Sequence, residues 1–349
     1  MLFSGIAVSY TVRKDMANTN FCRAKLAKND EFYTQLADIE KELQHYRKHF
    51  KDKAVLCNCD NPAWSAFWKY FHLNFSALHL RKLISTYYDK TEPVYKTEYM
   101  GGNDSNIEAG IRTPLNGNGD FRNQECIELL QEADIVVTNS PFSLFRAYVD
   151  CLEQHSKKFL IIGNKNNVND KNVFPLFRDN KLWFGYCSPS EFDTPTGTVN
   201  CSHPKGYELV TVPVKKMQGL CRWFTNLDIT KRHKKLILQK TYSESEYPKY
   251  ANYNAIEVKK VADIPYDYYG NMGVPITFFD SYNPEQFEII GLADGNLGRG
   301  IGIGQDEETF QKYYTMYKAL RRGKVFYLTD SGYPKIPYSR LIIRRKKDN

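Results

Sequence analysis

The clearest chemical signal in the 349-residue sequence is the segment Asn139-Ser140-Pro141-Phe142, which directly follows the apolar residues 135–138. On its own, Asn-x-Pro-Phe is typical of an ordinary turn. The apolar run predicts a buried strand, and ligands of open α/β sheets bind at the carboxyl ends of the strands. This position favours a catalytic loop, while the ordinary turn stays open as the alternative.

A second polar segment, Asn-Asp-Glu-Phe-Tyr-Thr-Gln at residues 29–35, stands just before a periodic stretch. Taken alone it is typical of a helix entrance with Thr34 as the N-cap. The alternative is that it contributes to a binding site.

Several elements must position these segments. Apolar residues at steps of three and four predict an amphipathic helix over residues 36–50, and residues 54–56 predict a short strand that ends in Cys57-Asn58-Cys59-Asp60. We expect the next helix to be capped by Asn61, with Pro62 in its first turn. Its apolar face is predicted to carry Trp64, Phe67 and Phe71.

The strand and helix pattern then repeats, with strands at 83–86, 135–138 and 159–162 and helices at 125–131 and 144–152. Strands that are apolar on both faces and alternate with helices predict a doubly wound parallel sheet. The loops after Leu56, Thr86 and Val137 therefore become the places to look for chemistry.

Past about residue 176 the pattern changes. Strands are predicted at 181–186, 208–214 and 221–225 without regular helices between them, and from Lys231 onward a basic, Tyr-rich second lobe is expected. The glycine-dense residues 291–304 predict a flexible loop, because no parallel strand precedes them and no Lys-Ser/Thr follows.

Composition limits the protein class. With 42% hydrophobic residues and a formal charge of +8, the chain can bury a sizeable core, which excludes disorder, and its apolar runs are too short to span a bilayer. Eight cysteines lack any Cys-x-x-Cys, so we expect no metal site and reduced thiols in a cytoplasm. No signal peptide is recognised at the start.

Together the two polar segments resemble amino-methylating DNA methyltransferases, and a wider match resembles the EcoRI-type adenine-specific enzymes. It runs from about residue 22 to the end, weakens after residue 290, and is carried by residues 28–43, 56–60, 119–122, 133–146, 158–162, 223–228, 247–253 and 272–288. The resemblance implies a doubly wound, Rossmann-like, S-adenosylmethionine-dependent α/β core with a C-terminal target-recognition lobe. It also implies an arm at 1–20, a catalytic domain at 21–230 and a basic recognition region at 231–349, with a true start at Met1 or Met16.

By this resemblance, S-adenosylmethionine is the cofactor. Phe32 and Tyr33 would enclose its methionine part, because an aromatic face suits a sulfonium cation. Asp89 would accept from the ribose hydroxyls and Asp120 from the adenine amine. The expected cofactor-binding residues are Phe32, Tyr33, Thr34, Cys57, Asn58, Cys59, Asp60, Asp89 and Asp120.

The catalytic residues implied are Asn139, Ser140, Pro141 and Phe142. The Asn139 side-chain oxygen and the Ser140 carbonyl would accept the two hydrogens of the target amine, and Phe142 would stack on the flipped adenine. The family usually has proline where this chain has Ser140, so the turn loses a fixed φ. A nucleic-acid-binding protein with weak or lost methyl transfer is therefore one rival, and a nicotinamide-dependent oxidoreductase is another.

Basic residues near the end predict phosphate contacts with double-stranded DNA. Those expected to bind DNA are Arg321, Arg322, Lys324, Arg344, Arg345 and Lys346. We expect a monomer with neither metal nor membrane partner that protects host DNA from a restriction enzyme.

Overall fold

The computed structural model describes residues 33–189, 192–193, 198–202, 209–213, 221–304 and 306–347. Of Tyr33 and of the residues between 192 and 213 only the backbone is described. The predicted arm at 1–20, both candidate starts and Phe32 lie outside these residues. Within them, no helix is long and apolar enough to cross a membrane.

The α-helices of the described residues are short, and several are flanked by 3₁₀ turns. In chain order they are α1 (Leu36–Leu43), α2 (Arg47–Phe50), α3 (Ala66–Leu73), α4 (Gln124–Glu132), α5 (Phe145–Gln154), α6 (Phe174–Arg178), α7 (Gly295–Gly300) and α8 (Glu307–Met316).

The strands of the described residues pair both in parallel and in antiparallel fashion. In chain order they are β1 (Tyr33–Thr34), β2 (Ala54–Cys57), β3 (Lys82–Ser85), β4 (Tyr95–Tyr99), β5 (Ile111–Pro114), β6 (Ile135–Asn139), β7 (Lys158–Asn164), β8 (Trp183–Phe184), β9 (Phe192–Asp193), β10 (Thr198–Ser202), β11 (Leu209–Pro213), β12 (Cys221–Thr225), β13 (Ile256–Glu257), β14 (Asn271–Pro275), β15 (Phe287–Ala293), β16 (Tyr327–Leu328), β17 (Pro334–Lys335) and β18 (Arg340–Arg345).

The chain divides into two compact units. The first contains Met1–Gln44, Phe50–Tyr148 and Cys187–Arg222, and the second contains His45–His49, Val149–Tyr186 and Trp223–Asn349. The two units are separated by where contacts are dense, so they do not test the predicted functional boundaries at residues 20 and 230. Those boundaries stay predictions.

In the first unit five strands lie side by side in the order β5-β4-β3-β2-β6. β2 pairs in parallel with both β3 and β6, which confirms the predicted parallel strands there. β4 and β5 were not predicted, and they extend the sheet in antiparallel fashion. The result is a mixed α/β architecture, in which β2 is buried along its whole length.

The entrance to α3 differs from the prediction. The helix begins at Ala66, and the Ser65 side chain caps it by accepting from the backbone N–H groups of Phe67 and Trp68. Asn61 instead closes a local turn by accepting from Ala63 N–H at 3.0 Å. Trp64 precedes the helix and is 45% exposed, so its predicted place on the buried face is wrong.

The entrance to α1 also corrects one alternative. Its N-cap residue is Gln35, which makes no side-chain cap, and Thr34 belongs to β1 rather than to the helix start. Thr34 as the helix cap is therefore wrong. The predicted continuous helix is broken after Leu43 by a 3₁₀ turn over Gln44–Tyr46 before α2 begins.

The second unit contains a four-stranded sheet in the order β13-β14-β18-β15. Its glycine-dense stretch is not a flexible loop, because Gly291 belongs to β15 and α7 follows. Gly298 packs against the backbone at Gly323, where an added Cβ would come within 1.9 Å of the Gly323 carbonyl oxygen. Close backbone packing thus explains the glycine at position 298.

Candidate active site

A cavity of about 670 Å³ lies in the first unit at the carboxyl ends of β2, β3 and β6. Its wall is built by residues 58–61, 64–67, 87–90, 139–141 and 143–144, together with Thr34 and with residues 119–122 before α4. These include the three strand-end loops in which the sequence predicted chemistry. The volume falls within the range of small-molecule sites, about 300–1,000 Å³.

Most of the predicted cofactor and catalytic residues line this one cavity. They are Thr34, Asn58, Cys59, Asp60, Asp89, Asp120, Asn139, Ser140 and Pro141. Cys57 lies buried at the end of β2. Phe142 begins the 3₁₀ helix Phe142–Leu144, and the next two residues of that turn, Ser143 and Leu144, line the cavity.

The loop after β2 is held by buried polar contacts. Tyr148 on α5 donates its hydroxyl hydrogen to the Asn58 side-chain oxygen. The Tyr148 ring meets the buried Phe121 ring edge to face, with 5.0 Å between centroids. These contacts fix the loop.

Asp60 is the most connected polar residue of the loop. Its carboxylate accepts from Thr138 Oγ1 at 2.5 Å and Ser65 Oγ at 2.8 Å, and also from the Asn139 backbone N–H. Its own backbone N–H donates to the Thr86 carbonyl at 2.8 Å. Desolvation outweighs these hydrogen bonds and raises the pKa of the carboxyl to about 6.

The two thiols of the loop are poor nucleophiles. Burial raises the pKa of the Cys57 thiol and of the Cys59 thiol well above the ordinary value, and the nearby Asp60 charge adds to both shifts. A thiol must ionise to attack, so both cysteines stay protonated near neutral pH. We assign Cys59 to the cavity wall, whereas Cys57 lies buried at the end of β2.

Asp89 lies on the loop that follows β3. Its Oδ1 accepts from the backbone N–H groups of Thr91 and Glu92 at 2.8 and 3.1 Å, which lowers the pKa of the carboxyl. Its Oδ1 also accepts from the Thr91 hydroxyl at 3.0 Å, and a backbone hydrogen bond from Lys90 adds to the lowering of the pKa. The carboxylate thus shapes the turn and also lines the cavity.

Asp120 forms a two-point ion pair with Arg122. The guanidinium donates from Nε at 2.8 Å and from a terminal nitrogen at 2.5 Å, and it is the main cause of the lowered pKa of Asp120. Gly119, just before, has φ +73°, and a Cβ there would lie 1.8 Å from the Tyr87 carbonyl oxygen. The wall therefore needs glycine at this position.

The segment predicted to be catalytic leaves β6 at the rim of the cavity. Ser140 is 1% exposed, and Pro141 has φ −65° and ψ 113° before the 3₁₀ turn. Thr34 also lines the cavity. It is buried, and its hydroxyl has no hydrogen-bond partner among the described residues. A buried hydroxyl of this kind is suited to a polar ligand atom.

Sequence reasoning missed several further residues of the wall and its frame, among them Ser65 and three aromatic residues. Trp64, Tyr87 and Tyr88 line the cavity, and Ser65 joins the α3 cap to Asp60. Ser65 carries a usable signal, because a serine directly before an apolar run is a typical N-cap. The three aromatic residues had no such signal.

The six predicted DNA-binding residues all lie in the second unit and are held by different neighbours. Arg322 pairs with Glu307 at 2.6 Å, and Lys324 lies 3.4 Å from Asp294. Arg321 donates to the carbonyls of Lys318 and Leu320, Arg344 donates to Asn271, Arg345 lies over the Tyr269 ring, and the Lys346 backbone N–H donates to the Gln286 carbonyl. No ligand role is tested by these contacts.

A family model described as adenine-specific methyltransferase EcoRI matches residues 20–346. The chain belongs to this family. It is an enzyme, an adenine-specific DNA methyltransferase of the restriction–modification class, as the resemblance implied. Membership also rules against the nicotinamide-dependent oxidoreductase as a rival.

Three curated proteins that are similar to this chain are also named Type II methyltransferases. The chain is 44% identical to the Type II methyltransferase M.EcoRI of Escherichia coli over 312 residues, which cover 83% of this chain and 94% of that protein. It is 40% identical to M.MgeORF184P of Mycoplasma genitalium over 78% of this chain and 85% of that protein. For M.MpnI of Mycoplasma pneumoniae the identity is 40%, with coverage of 77% and 84%. No solved structure matches the chain.

Among the side chains that the structure describes, no group of three histidine, cysteine, aspartate or glutamate side chains is placed to hold a metal ion. The polar groups at the cavity include carboxylates, amides and hydroxyls, which suit hydrogen bonding to an organic ligand.

Proposed function

We propose that the cavity binds S-adenosylmethionine and that the enzyme methylates the exocyclic amine of an adenine within a short duplex DNA sequence. The observation that carries this proposal is the convergence of three strand-end loops on one cavity of cofactor size. The family supplies the reaction class, and the geometry supplies the candidate residues.

The chain's donors and acceptors fit the proposed cofactor. The Asp89 carboxylate, which lines the cavity, suits ribose hydroxyls, and the buried Thr34 hydroxyl suits a polar atom of the methionine part. Asp120 is already paired with Arg122, so its proposed contact with an adenine amine would share the carboxylate with that guanidinium. The loop residues 58–60 line the cavity, and Cys57 precedes them at the end of β2. Phe32 and Tyr33 remain proposed contacts by similarity.

At the target base, the cofactor supplies an activated methyl group. We assign the Asn139 side-chain oxygen and the Ser140 carbonyl to the two amine hydrogens, which localises the nitrogen lone pair for in-line attack. Pro141 holds the following peptide, and Phe142 stacks on the flipped base, a contact worth roughly 1–3 kcal/mol. Proximity and orientation, without a covalent enzyme intermediate, then suffice for transfer.

DNA binding is assigned to residues 231–349, with catalysis in residues 21–230. The excess of lysine and arginine in the last third of the sequence favours phosphate contacts. By analogy with the Type II relatives, we propose that a monomer acts in the cytoplasm and protects host DNA from a cognate endonuclease.

Labelled methyl transfer to duplex DNA, followed by methylation-sensitive sequencing, tests the proposal. We expect label at an exocyclic adenine amine in one short sequence. Calorimetry should show binding of S-adenosylmethionine and none of a nicotinamide dinucleotide. DNA binding without label would favour the inactive-copy alternative that Ser140 motivates, and a labelled cytosine would contradict the assigned target.

A further inference from the structure

Asp60 does more than line the cavity wall. The residue is 4% exposed, and its carboxylate accepts hydrogen bonds from two different elements of the first unit. Ser65 caps α3, while Thr138 and Asn139 end β6, directly before Ser140. A single buried carboxylate thus joins the loop after β2 to the segment predicted to be catalytic.

The backbone of Asp60 adds a third connection. Its N–H donates to the Thr86 carbonyl at 2.8 Å, and its carbonyl accepts from the Ser85 hydroxyl. The residue is therefore fixed to the end of β3 before its side chain reaches β6. A carboxylate held in this way gives the Asn139 N–H one fixed acceptor, which restrains the backbone that carries the Asn139 amide.

We infer that Asp60 is a positioning residue for methyl transfer, because its ionised carboxylate holds Thr138 and Asn139 in the orientation that the target amine requires. This inference rests on the proposed function of the Asn139 segment. It differs from the prediction that Asp60 contacts the cofactor, since the carboxylate accepts its known hydrogen bonds from protein groups. Loss of its charge should slow transfer rather than weaken cofactor binding.

The charge of Asp60 should respond to pH in the working range. Desolvation raises the pKa of this carboxyl to about 6, and the hydrogen bonds from Thr138, Ser65 and Asn139 lower it. The titratable groups that face it are the Cys57 and Cys59 thiols, whose pKa values are raised by burial and by Asp60 itself, and Tyr148 from α5 approaches the same loop through Asn58. Protonation below about pH 6 removes the charge and turns one carboxylate oxygen into a donor, which weakens the hydrogen bonds that Asp60 accepts from Thr138, Ser65 and Asn139.

The test is the single-turnover methylation rate at saturating cofactor and duplex DNA between pH 5 and pH 8. For the natural chain we expect a plateau above about pH 6 and a fall towards tenfold per pH unit below it. Asp60→Asn should lower the plateau at least tenfold and remove the fall between pH 5 and pH 7. Its dissociation constant for S-adenosylmethionine should change less than threefold.

Thr138→Val sharpens the test, since valine keeps the shape and removes one hydrogen bond that lowers the pKa of Asp60. The acid fall should therefore move to higher pH, a shift that a purely structural role would not produce. This variant also serves if Asp60→Asn fails to fold.

Asp134→Asn is the matched control, because Asp134 joins the other ends of the same two strands. It accepts from Ala54 N–H at 2.8 Å and from Arg81 at 2.9 Å. We expect its pH profile to match that of the natural chain.

Two results would overturn the inference. One is a natural acid fall that persists unchanged in Asp60→Asn and Thr138→Val. The other is a tenfold loss of cofactor affinity in Asp60→Asn with an unchanged plateau rate, which would make the carboxylate a cofactor ligand. Absence of any methylation by the natural chain would instead contradict the proposed function.

Discussion

The cavity of the first unit and the basic residues of the second unit were predicted from the same sequence by different kinds of argument. In the first unit, residues distant in sequence, such as Asn58 and Asn139, line one cavity. In the second unit, the predicted cations are held by separate neighbours, as Arg322 is by Glu307 and Arg344 is by Asn271. Topology fixes where strand ends meet, whereas no comparable rule fixes where a long cationic side chain points.

The largest expected effect tests the cavity. Asn139→Ala should slow single-turnover methylation by about 100- to 1,000-fold, the cost of losing one acceptor aimed at a reacting group. Phe142→Ala should also lose methyl transfer, because base stacking disappears. Both should keep cofactor affinity, measured by calorimetry.

Trp64 provides a second measure of that affinity, because it lines the cavity and is 45% exposed, while Trp68 and Trp223 are buried. Cofactor binding should change its fluorescence. Loss of affinity by tenfold or more in both variants would show that the Asn139 segment belongs to the cofactor part of the site.

The next effect tests the wall before α4. Gly119→Ala places a Cβ 1.8 Å from the Tyr87 carbonyl oxygen and forces alanine to φ +73°. We expect cofactor affinity to fall at least tenfold and the melting temperature to drop, both measured on the purified protein. The left-handed backbone alone costs roughly 1–2 kcal/mol.

Gly102→Ala is the matched control for that strain. Gly102 has φ +98°, and nothing lies within 4 Å of its added Cβ. The Gly102→Ala variant should lose only the stability that the left-handed backbone costs and should keep its cofactor affinity. Equal affinity losses in the two variants would remove the argument for the wall.

How far the sequence could lead is shown by β2 and α3. An unbroken apolar run predicted β2, because a strand that is buried on both faces needs apolar residues at nearly every position. The start of α3 was placed four residues early, since Asn61 and Pro62 also form a good local turn and only the network of Ser65 with Asp60 selects the later start. The carboxylate network around Asp60 joins residues 78 positions apart, which no local pattern reports.

β4 and α7 show two other limits. The residues of β4 alternate between buried and half-exposed positions, a weak signal beside the apolar runs of β2 and β6. Glycines in α7 were taken as flexible because their composition hides the close approach of Gly298 to Gly323. Packing between distant backbones decides such segments, and a single sequence does not contain it.

The basic residues of the second unit are tested by salt. Each true phosphate contact that is neutralised should reduce the slope of log affinity against log salt by about 0.9. Arg322→Gln should show this change, measured by fluorescence anisotropy on cognate duplex. Glu307→Gln removes the ion-pair partner and leaves the cation, so it should keep the slope.

Neutralising all six predicted cations without changing the slope would place the DNA surface elsewhere. The alternative cluster is then Lys231, Lys234 and Lys235. The neighbouring Arg232 is too buried to contact a phosphate, since the residue is only 8% exposed. Its guanidinium carbon lies 3.4 Å from the Trp183 ring centroid.

The smallest effect concerns Ser140, the point at which this chain departs from the family pattern. Serine leaves φ free, yet Pro141 still holds the following peptide, and the burial of Ser140 limits its motion. Fixing one residue costs roughly 1–2 kcal/mol of conformational entropy, and proline supplies only part of it. The natural protein should therefore be active, and Ser140→Pro should raise its single-turnover rate by less than about tenfold. A slower Ser140→Pro variant would show that the serine makes a contact of its own. In this chain a hydrogen bond of Ser140 would then hold the turn in place, as a proline ring does elsewhere in the family.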